Sequence, residues 1–324
     1  MKKNNILISL IVMVAIVLSA CGGSTPAIAQ TPTPTTAQAS MTTTAQISIP
    51  TTAPTSAPKD LLSEIQSRGY MLVETWATYF SGGRRSTPTK CPSDAYTASQ
   101  MGVGGFDPDF AVEIGKRLGV EICFVIPTWP TVTAGNWGGK WDVSIASMAI
   151  TNKFSQVLTF TVPYSYDYAE VAVKKGSGIN MLADLAGKAI CVESATTYED
   201  WLNGNLALPT ADVFAQPPAN VKVVTVPGWQ GCSYTLPGFG TAYIAFVDTS
   251  LNIDNDIAVG APIVKLGGPV FRESNAAAVD KSSSLPTDSF IAELNQIITS
   301  MQSDGTLTKL SIQDYGADYT QPLK

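Results

Sequence analysis

Hydrophobic and polar positions beyond residue 59 follow two periods, one typical of strands and one typical of helices. Three runs rich in β-branched and aromatic residues predict strands, at 70–73, 120–125 and 142–146. Between the first two, apolar residues spaced three and four apart over 107–118 predict a helix that Asp107 caps and Gly119 ends. A strand, a helix and a strand in this order predict a parallel α/β sheet.

A second part of the chain repeats this order. Strands are predicted at 189–192, 221–226 and 242–247. Thr196 and Glu199 have the spacing of a capping box and open the helix after the first of these strands. Further apolar positions at helical spacing run over 290–301 and end at Asp304, and a short helix to Tyr315 follows. The sequence therefore predicts two α/β units followed by C-terminal helices.

The first residues of the chain follow neither pattern. Lys2 and Lys3 precede an uncharged apolar run over 6–18, which is short for a helix that spans a membrane. Leu-Ser-Ala before Cys21 resembles the lipobox of bacterial lipoproteins, which implies a signal peptide over 1–20 and acylation of the Cys21 thiol. An uncleaved N-terminal anchor is the alternative. We expect a lipid-anchored protein of the cell envelope, at the outer face of the cytoplasmic membrane or in the periplasm.

Residues 22–58 contain no charged residue and consist mostly of Thr, Pro, Ala, Ser and Gln. Such a segment cannot bury enough apolar surface to fold by itself. We therefore predict a tether over 21–58, which holds a folded body that begins near Lys59 away from the membrane.

Composition excludes several classes of function. The chain has 20 Lys and Arg against 26 Asp and Glu, a formal net charge of -6, so it lacks the basic field that a nucleic-acid partner requires. It contains no histidine, which excludes Ser-His-Asp and Cys-His nucleophiles, HExxH zinc sites and histidine general bases. Because CxxC pairs are missing as well, we expect no metal site, and nothing in the sequence indicates a cofactor.

Four cysteines remain once Cys21 is assigned to a lipid, an even number in a chain that leaves the cytoplasm. Cys91 and Cys123 fall in the first α/β unit, and Cys191 and Cys232 in the second. Of the three possible pairings we favour the one within each unit, because a bridge between the units would lock them together. Four buried free thiols are the alternative.

Six segments carry motifs in one order, at 62–73, 105–109, 141–151, 160–164, 185–188 and 192–198. Gly-Phe-Asp-Pro-Asp at 105–109 corresponds to the pattern G-F-D-x-D, and Phe-Thr-Val-Pro-Tyr at 160–164 to F-S-x-P-Y. Over nearly all of 59–315, this succession resembles the family 3 extracellular solute-binding proteins, the polar amino-acid receptors of ABC importers.

The resemblance implies an α/β chain with the type II two-lobe fold of periplasmic binding proteins, in which two crossing hinge strands join the lobes. Lobe 1 would comprise 59–167 and 271–324, and lobe 2 would comprise 168–270. The ligand would lie in the cleft and the lobes would close by hinge motion. One disulfide within each lobe would leave the hinge free. The resemblance further implies a monomer that delivers a small amino acid or amine to an ABC permease.

The family's binding residues correspond to five positions here. Asp248 follows a lobe 2 strand, where an acidic residue binds the ligand's ammonium; its alternative role is to cap the next helix. Thr196 and Thr197 match a pair whose backbone amides receive the ligand carboxylate, with a plain capping box as the alternative. Trp76 and Tyr79 resemble aromatic residues that pack on the ligand, with core packing as the alternative.

The family's strongest anchor is missing. Its T-x-x-R arginine clamps the ligand carboxylate with two charge-assisted hydrogen bonds, but Thr151 is followed by Phe154 at the arginine's place. Ala149 stands where a hydroxyl residue is common, and Ser147 keeps one. We therefore expect Ser147, Thr151 and Phe154 to line a pocket that is more apolar than usual in lobe 1.

Two arrangements could compensate for Phe154, and both remain open at the level of sequence. Arg84 or Arg85, in an insertion over 81–104, could reach the cleft and bind a carboxylate; a solvated loop is the alternative for both. Otherwise the ligand lacks a carboxylate, and Asp248 together with the aromatic residues binds a cationic amine.

Fold does not by itself determine function, and this fold also carries relatives that are cyclohexadienyl dehydratases. Glu193, near the predicted cleft, is the candidate general acid for such an enzyme, but nothing else in the sequence supports catalysis. A ligand-sensing domain that partners a signalling protein is a further alternative. We expect a binding protein and not an enzyme.

Overall fold

The computed structural model describes residues 60–102, 105–227 and 231–322. The predicted signal peptide, the lipidation site Cys21 and the tether over 21–58 lie outside the described residues. Within the described ranges, no helix combines the length and the apolar composition needed to cross a membrane.

Strands and helices alternate over most of the described residues, as the hydrophobic pattern predicts. The strands are β1 (Tyr70–Glu74), β2 (Tyr96–Thr97), β3 (Glu121–Val125), β4 (Val143–Ala149), β5 (Leu158–Phe160), β6 (Ser165–Lys174), β7 (Ala189–Glu193), β8 (Lys222–Val226), β9 (Ala245–Thr249), β10 (Ile263–Lys265) and β11 (Phe271–Asp280). The helices are α1 (Leu61–Arg68), α2 (Phe106–Leu118), α3 (Trp129–Thr133), α4 (Thr197–Leu202), α5 (Ser250–Ala258), α6 (Asp288–Ser303) and α7 (Thr306–Tyr315). Gly119 ends α2 in the left-handed conformation, with φ 72°, as predicted.

Two long strands connect the two ends of the sheet. The strand order is β2-β3-β1-β4-β11-β6-β9-β7-β8. At one end β1 is parallel to β3 and β4, and at the other β7 is parallel to β8 and β9. Between them β6 and β11 pair in antiparallel fashion through 165–169 and 271–275. This is the α/β arrangement with two crossing strands that the resemblance implies.

Each end of the sheet has its own hydrophobic core. The first core joins α1, α2, β1 and β4 to the C-terminal helices, and Phe106, Phe110, Phe290 and Leu294 are fully buried in it. The second core is made of residues between 169 and 271, around Trp201. We use lobe 1 and lobe 2 for the parts built on these two cores. The chain leaves lobe 1 along β6 and returns along β11, so that α6 and α7 pack on lobe 1.

The expected N-cap of α2 is wrong. The helix begins at Phe106 with Gly105 as its N-cap, and Asp107 lies in its first turn. The Asp107 carboxyl is fully buried and accepts hydrogen bonds from Tyr164 Oη (2.8 Å) and Ser147 Oγ (3.0 Å). Asp107 therefore braces the interior of lobe 1 and does not cap a helix. Burial raises its pKa to about 7.

Two further local expectations are corrected in lobe 2. Helix α5 is capped by Thr249, whose Oγ1 accepts from Asn252 N (3.2 Å), so Asp248 does not have the capping role considered as its alternative. The strand expected over 242–247 begins only at Ala245, because the residues before it form a turn. The first difference leaves the Asp248 side chain without a capping role, and the second shortens the strand that carries it.

The structure pairs Cys91 with Cys123 and Cys191 with Cys232, with Cα–Cα distances of 5.4 Å and 5.8 Å. The predicted pairing within each unit is confirmed. The first bridge ties β3 to the part of the 81–104 insertion that precedes β2, and the second ties β7 to the segment that follows β8. Neither of these two bridges joins the lobes to each other, so neither restrains their relative motion.

Candidate functional site

A cavity of about 540 Å³ lies between the two lobes, within the size range of small-molecule sites. Both lobes and both crossing strands contribute to its walls. Seven of the eight residues expected at the ligand line it: Trp76, Tyr79, Ser147, Phe154, Thr196, Thr197 and Asp248. Thr151 is the one that the structure places outside the lining.

Aromatic rings form the wall that lobe 1 presents to the cavity. Trp76 follows β1 and Trp129 opens α3, and their ring centroids lie 4.6 Å apart in a stacked arrangement. Trp76 Nε1 donates to Ala146 O (2.9 Å), which fixes the first ring. Trp129 was missed in the sequence, although it follows β3 as Trp76 follows β1. Its place after the end of a parallel strand is the signal that could have found it.

Phe154 extends this wall and is only 3% exposed. The hydroxyl of Thr151 accepts a hydrogen bond from Phe154 N (3.0 Å), at the start of a short 3-10 turn over Phe154–Gln156. Thr151 therefore holds the turn that carries Phe154 and does not itself reach the cavity.

Ser147 lines the cavity with its hydroxyl already engaged. Its backbone has φ 46°, which is uncommon for a residue other than glycine. Ser147 N donates to Tyr164 Oη (2.9 Å), and Ser147 Oγ donates to Asp107 Oδ2 (3.0 Å). Since Ala149 beside it carries no hydroxyl, this part of lobe 1 offers the cavity little polar contact.

Carboxyl groups form a second wall of the cavity, which we call the acidic wall. Asp167 lies on β6 and Glu273 on β11, the two crossing strands, while Glu193 ends β7 and Asp248 lies on β9. Asp248 was predicted as a ligand contact and Glu193 was considered as an acid. Asp167 and Glu273 were missed, because a charged residue inside a strand is ordinarily expected to face solvent.

The two acids of lobe 2 differ in their partners. Asp248 Oδ1 accepts from Thr249 N (2.7 Å) and Asn252 Nδ2 (2.9 Å), whereas Glu193 Oε1 is buried without a hydrogen-bond partner. Burial raises the pKa of Asp248 to about 6. Burial, with the Asp248 carboxylate as a second cause, raises the pKa of Glu193 to about 8. A positive charge brought between these groups would favour their ionised forms.

The two acids of the crossing strands have partners that link distant parts of the chain. Asn275 Nδ2 donates to Asp167 Oδ2 (2.8 Å) between β11 and β6, and Thr197 Oγ1 donates to Glu273 Oε1 between α4 and β11. Burial raises the pKa of Asp167 to about 6 and that of Glu273 to about 8. The hinge itself therefore presents carboxyl groups to the cavity.

No lysine or arginine stands among the described residues that line this cavity. Lys153, next to Phe154, pairs with Asp200 of α4 (Nζ–Oδ1 2.9 Å) and so connects lobe 1 to lobe 2. Arg85 is turned into its own loop, where its guanidinium donates to three backbone carbonyls of 91–95 at 2.5 to 2.7 Å. Arg84 is exposed and outside the lining. Neither arginine stands in for the missing clamp.

The start of α4 is capped from within the chain. Glu199 N donates to Thr196 Oγ1 (3.3 Å) and Ala195 N donates to Glu199 Oε2 (2.7 Å), so the predicted cap at Thr196 forms. Glu193 and Glu273 line the cavity together with Thr196. Their charge, when ionised, disfavours an anion at this end of the helix.

Residues 86–316 match the family model described as bacterial extracellular solute-binding proteins, family 3. The L-cystine-binding protein TcyJ of Escherichia coli (strain K12) is 26% identical over 267 residues, which are 82% of this chain and 90% of that protein. The histidine-binding periplasmic protein of Salmonella typhimurium is 28% identical over 236 residues, 71% of this chain and 86% of that protein. These relatives are solute-binding proteins and not enzymes.

Solved structures agree on the fold. A mutant of ArgBP from T. maritima gives a TM-score of 0.60 at 24% identity, covering 79% of this chain and 99% of its own. The ancestral amino acid-binding protein AncCDT-1, described as a precursor of cyclohexadienyl dehydratase, gives 0.60 at 23% identity, with 78% and 99% covered. At these identities the likeness establishes the two-lobe α/β fold alone.

Proposed function

The chain belongs to the bacterial extracellular solute-binding proteins of family 3, and on this premise we propose that it is the substrate-binding lipoprotein of an ABC importer. It binds a small amino acid or amine between lobe 1, residues 59–167 and 271–324, and lobe 2, residues 168–270. The observation that supports this most is a cavity of about 540 Å³ lined by both lobes and both crossing strands. Motion about those strands would open and close it.

The proposed contacts follow from the chemistry of the two walls. Asp248 binds the ligand's ammonium, since its carboxylate lines the cavity and its Oδ1 is held in place by Asn252. Trp76, Tyr79 and Phe154 pack on the apolar part of the ligand. Together they place a charged group and a hydrophobic surface on opposite sides of a small molecule.

The remaining four candidate residues hold other parts of the site in place. Ser147 anchors the lobe 1 wall to Asp107, and Thr151 holds the turn of Phe154. Thr196 caps α4, and the Thr197 hydroxyl donates to a carboxyl of the hinge. We therefore assign these four to positioning of the site, with ligand contact as a second role for the three that line it.

The location is proposed from the N-terminal sequence. Acylation of Cys21 would anchor the protein to the membrane, and the tether over 21–58 would let a monomeric two-lobe body meet its permease. A Cys21→Ser variant should leave the membrane fraction while the unaltered chain stays in it. This variant also supplies soluble full-length protein for the binding experiment.

The function is tested by thermal unfolding of Cys21→Ser against amino acids and against primary, polyvalent and quaternary amines. A ligand at 100 times its Kd should raise the free energy of unfolding by about 2.7 kcal/mol, because it binds only the native state. The ligand should be recovered unchanged, as expected of a binding protein. Absence of any stabilising compound, or conversion of the ligand, contradicts the proposal.

A further inference from the structure

The charges around the cavity indicate a narrower class of ligand than the proposed function requires. Within the described residues its lining includes six acidic side chains, Asp167, Glu193, Asp248, Asp256, Glu273 and Asp314. No basic side chain of the described lining balances them. Such a concentration of one sign of charge in a cleft attracts cations and repels anions.

The aromatic wall favours the same class. Trp76 and Trp129 stack with centroids 4.6 Å apart, and Phe154 continues their surface where the family's arginine would stand. The negative face of an aromatic ring attracts ammonium groups and the methylenes next to them. Phe154 has no hydrogen-bond donor to replace the arginine clamp, and Trp76 Nε1 already donates to Ala146 O (2.9 Å). Trp129 Nε1 is buried without a hydrogen-bond partner, but it is a single neutral donor and not a cationic clamp.

Several polar groups beside the backbone amides of Thr196 and Thr197, where a carboxylate site was expected, are engaged elsewhere. The amides of Ala195 and Glu199 at the start of α4 have partners within the chain, at 2.7 and 3.3 Å. The Ser147 hydroxyl donates to Asp107 (3.0 Å), and the Arg85 guanidinium donates to carbonyls of its own loop. A carboxylate in this cavity would therefore face the acidic wall without a cationic partner.

We propose that the ligand is an organic cation that carries no carboxylate group. The inference rests on the proposed function and specifies the ligand of the same cavity. The cationic group binds between Asp248, Glu193 and the carboxyl groups of the crossing strands, and the carbon chain packs on Trp76 and Phe154. Because burial favours protonated carboxyl groups in the empty cavity, arrival of the cation releases protons to solvent.

The test compares amino acids with their decarboxylated counterparts, which differ by the one group in question. The pairs are lysine and cadaverine, ornithine and putrescine, arginine and agmatine, and glycine betaine and tetramethylammonium. Calorimetry uses the full-length Cys21→Ser chain near pH 8, in two buffers of different ionisation enthalpy, so that proton release is counted together with affinity. In at least one pair the amine should bind at least about tenfold more tightly, with proton release.

The outcomes separate the two proposals. If an amino acid binds as tightly as its amine or more tightly in every pair where binding is seen, this inference is overturned and the proposed function stands. If neither these pairs nor the broader screen yields a ligand, both are overturned. The comparison uses the unaltered cavity, so it does not depend on whether any variant of the cavity folds.

A variant reverses the chemistry at the decisive position. Phe154→Arg restores the cation found at this place in the family and should weaken the preferred amine at least about tenfold while improving its amino-acid counterpart. Phe154→Leu is the matched control, since it changes the ring without adding charge, and should keep the preference for the amine. An unchanged amine preference in a folded Phe154→Arg protein would contradict the inference.

Discussion

The two walls of the cavity come from similar structural positions but carry opposite chemistry. In lobe 1, Trp76 and Trp129 follow the ends of β1 and β3, and in lobe 2, Glu193 and Asp248 lie at or near the ends of β7 and β9. The aromatic wall interacts through shape, dispersion and the negative faces of its rings, and none of these titrates with pH. The acidic wall interacts through charge, which depends on pH and on salt. Affinity can thus come from the aromatic wall and charge selectivity from the acidic wall.

Removing one charge from the acidic wall should produce the largest effect. In Asp248→Asn the amide keeps the shape but cannot pair with an ammonium, so the Kd of the amine should rise on the order of 100-fold, about 2.7 kcal/mol. Calorimetry with the best amine measures this. Asp254→Asn, on the same helix as Asn252 but outside the cavity lining, is the control and should leave the Kd unchanged. A loss below about threefold for Asp248→Asn would show that the acidic wall does not govern binding.

Changing the pH should have a smaller effect, because it acts on the acidic wall alone. We expect the Kd of the amine to change by roughly tenfold across the neutral range. Asp167 and Asp248 have pKa values of about 6, and Glu193 and Glu273 of about 8. Each carboxyl that ionises adds charge to the acidic wall, so affinity for a cation should rise with pH. Calorimetry near pH 5, 7 and 9 tests the trend, and affinity that falls with rising pH would contradict it.

Stability of the empty protein should change with pH in the opposite sense. These pKa values lie above the ordinary values of 3.8 and 4.5, so the folded protein keeps protons that the unfolded chain has released. The free energy of unfolding is therefore greatest at the acidic end of this window and falls as pH rises through about 6 to 8. Urea unfolding at the same pH values measures it. Glu74, buried outside the cavity lining with a pKa of about 8, provides the control. Glu74→Gln should make the free energy of unfolding depend less steeply on pH, and it should leave the pH dependence of the amine's Kd unchanged.

The smallest effect on the Kd of the amine is expected from substitution of Lys153, the lysine beside the cavity. Lys153 pairs with Asp200 at 2.9 Å across the two lobes, but its side chain is 54% exposed, so solvent weakens the pair. Lys153→Ala should raise the Kd of the amine by about threefold at most, through a less stable closed form. Arg84→Ala removes an exposed charge outside the cavity and should have no effect. A tenfold gain in amine affinity on loss of Lys153 would show that this charge repels the ligand.

Sequence motifs predicted the fold and the position of the cleft because they depend on local structure. A strand end, a helix cap and a succession of short motifs are each set by a few neighbouring residues. Trp76, Phe154 and Asp248 were found in this way, since each stands at a fixed place relative to a strand or motif. The disulfide pairing followed for the same reason, because both partners of each bridge belong to one α/β unit.

The missed residues depend on contacts between distant parts of the chain. Asp107 has the sequence context of a helix cap, but Tyr164, 57 residues later, draws its carboxyl into the interior. Glu273 meets Thr197 across 76 residues, and Asp167 meets Asn275 across 108. No local pattern distinguishes these acids from solvent-facing residues of a strand. Their role becomes visible only when the chain has returned from lobe 2 to lobe 1.

The crossing strands carry a consequence for how the protein can evolve. Asp167 and Glu273 line the cavity and also lie on the two crossing strands, about which we propose that the lobes turn. A substitution that adapts either carboxyl to a new ligand therefore also alters the hinge. It would change the rates of ligand binding and release as well. The same two residues therefore influence both the ligand specificity and the kinetics of binding. We expect homologues that acquire a new ligand to change first at Phe154 and its neighbours, because a new side chain there leaves the crossing strands unaltered.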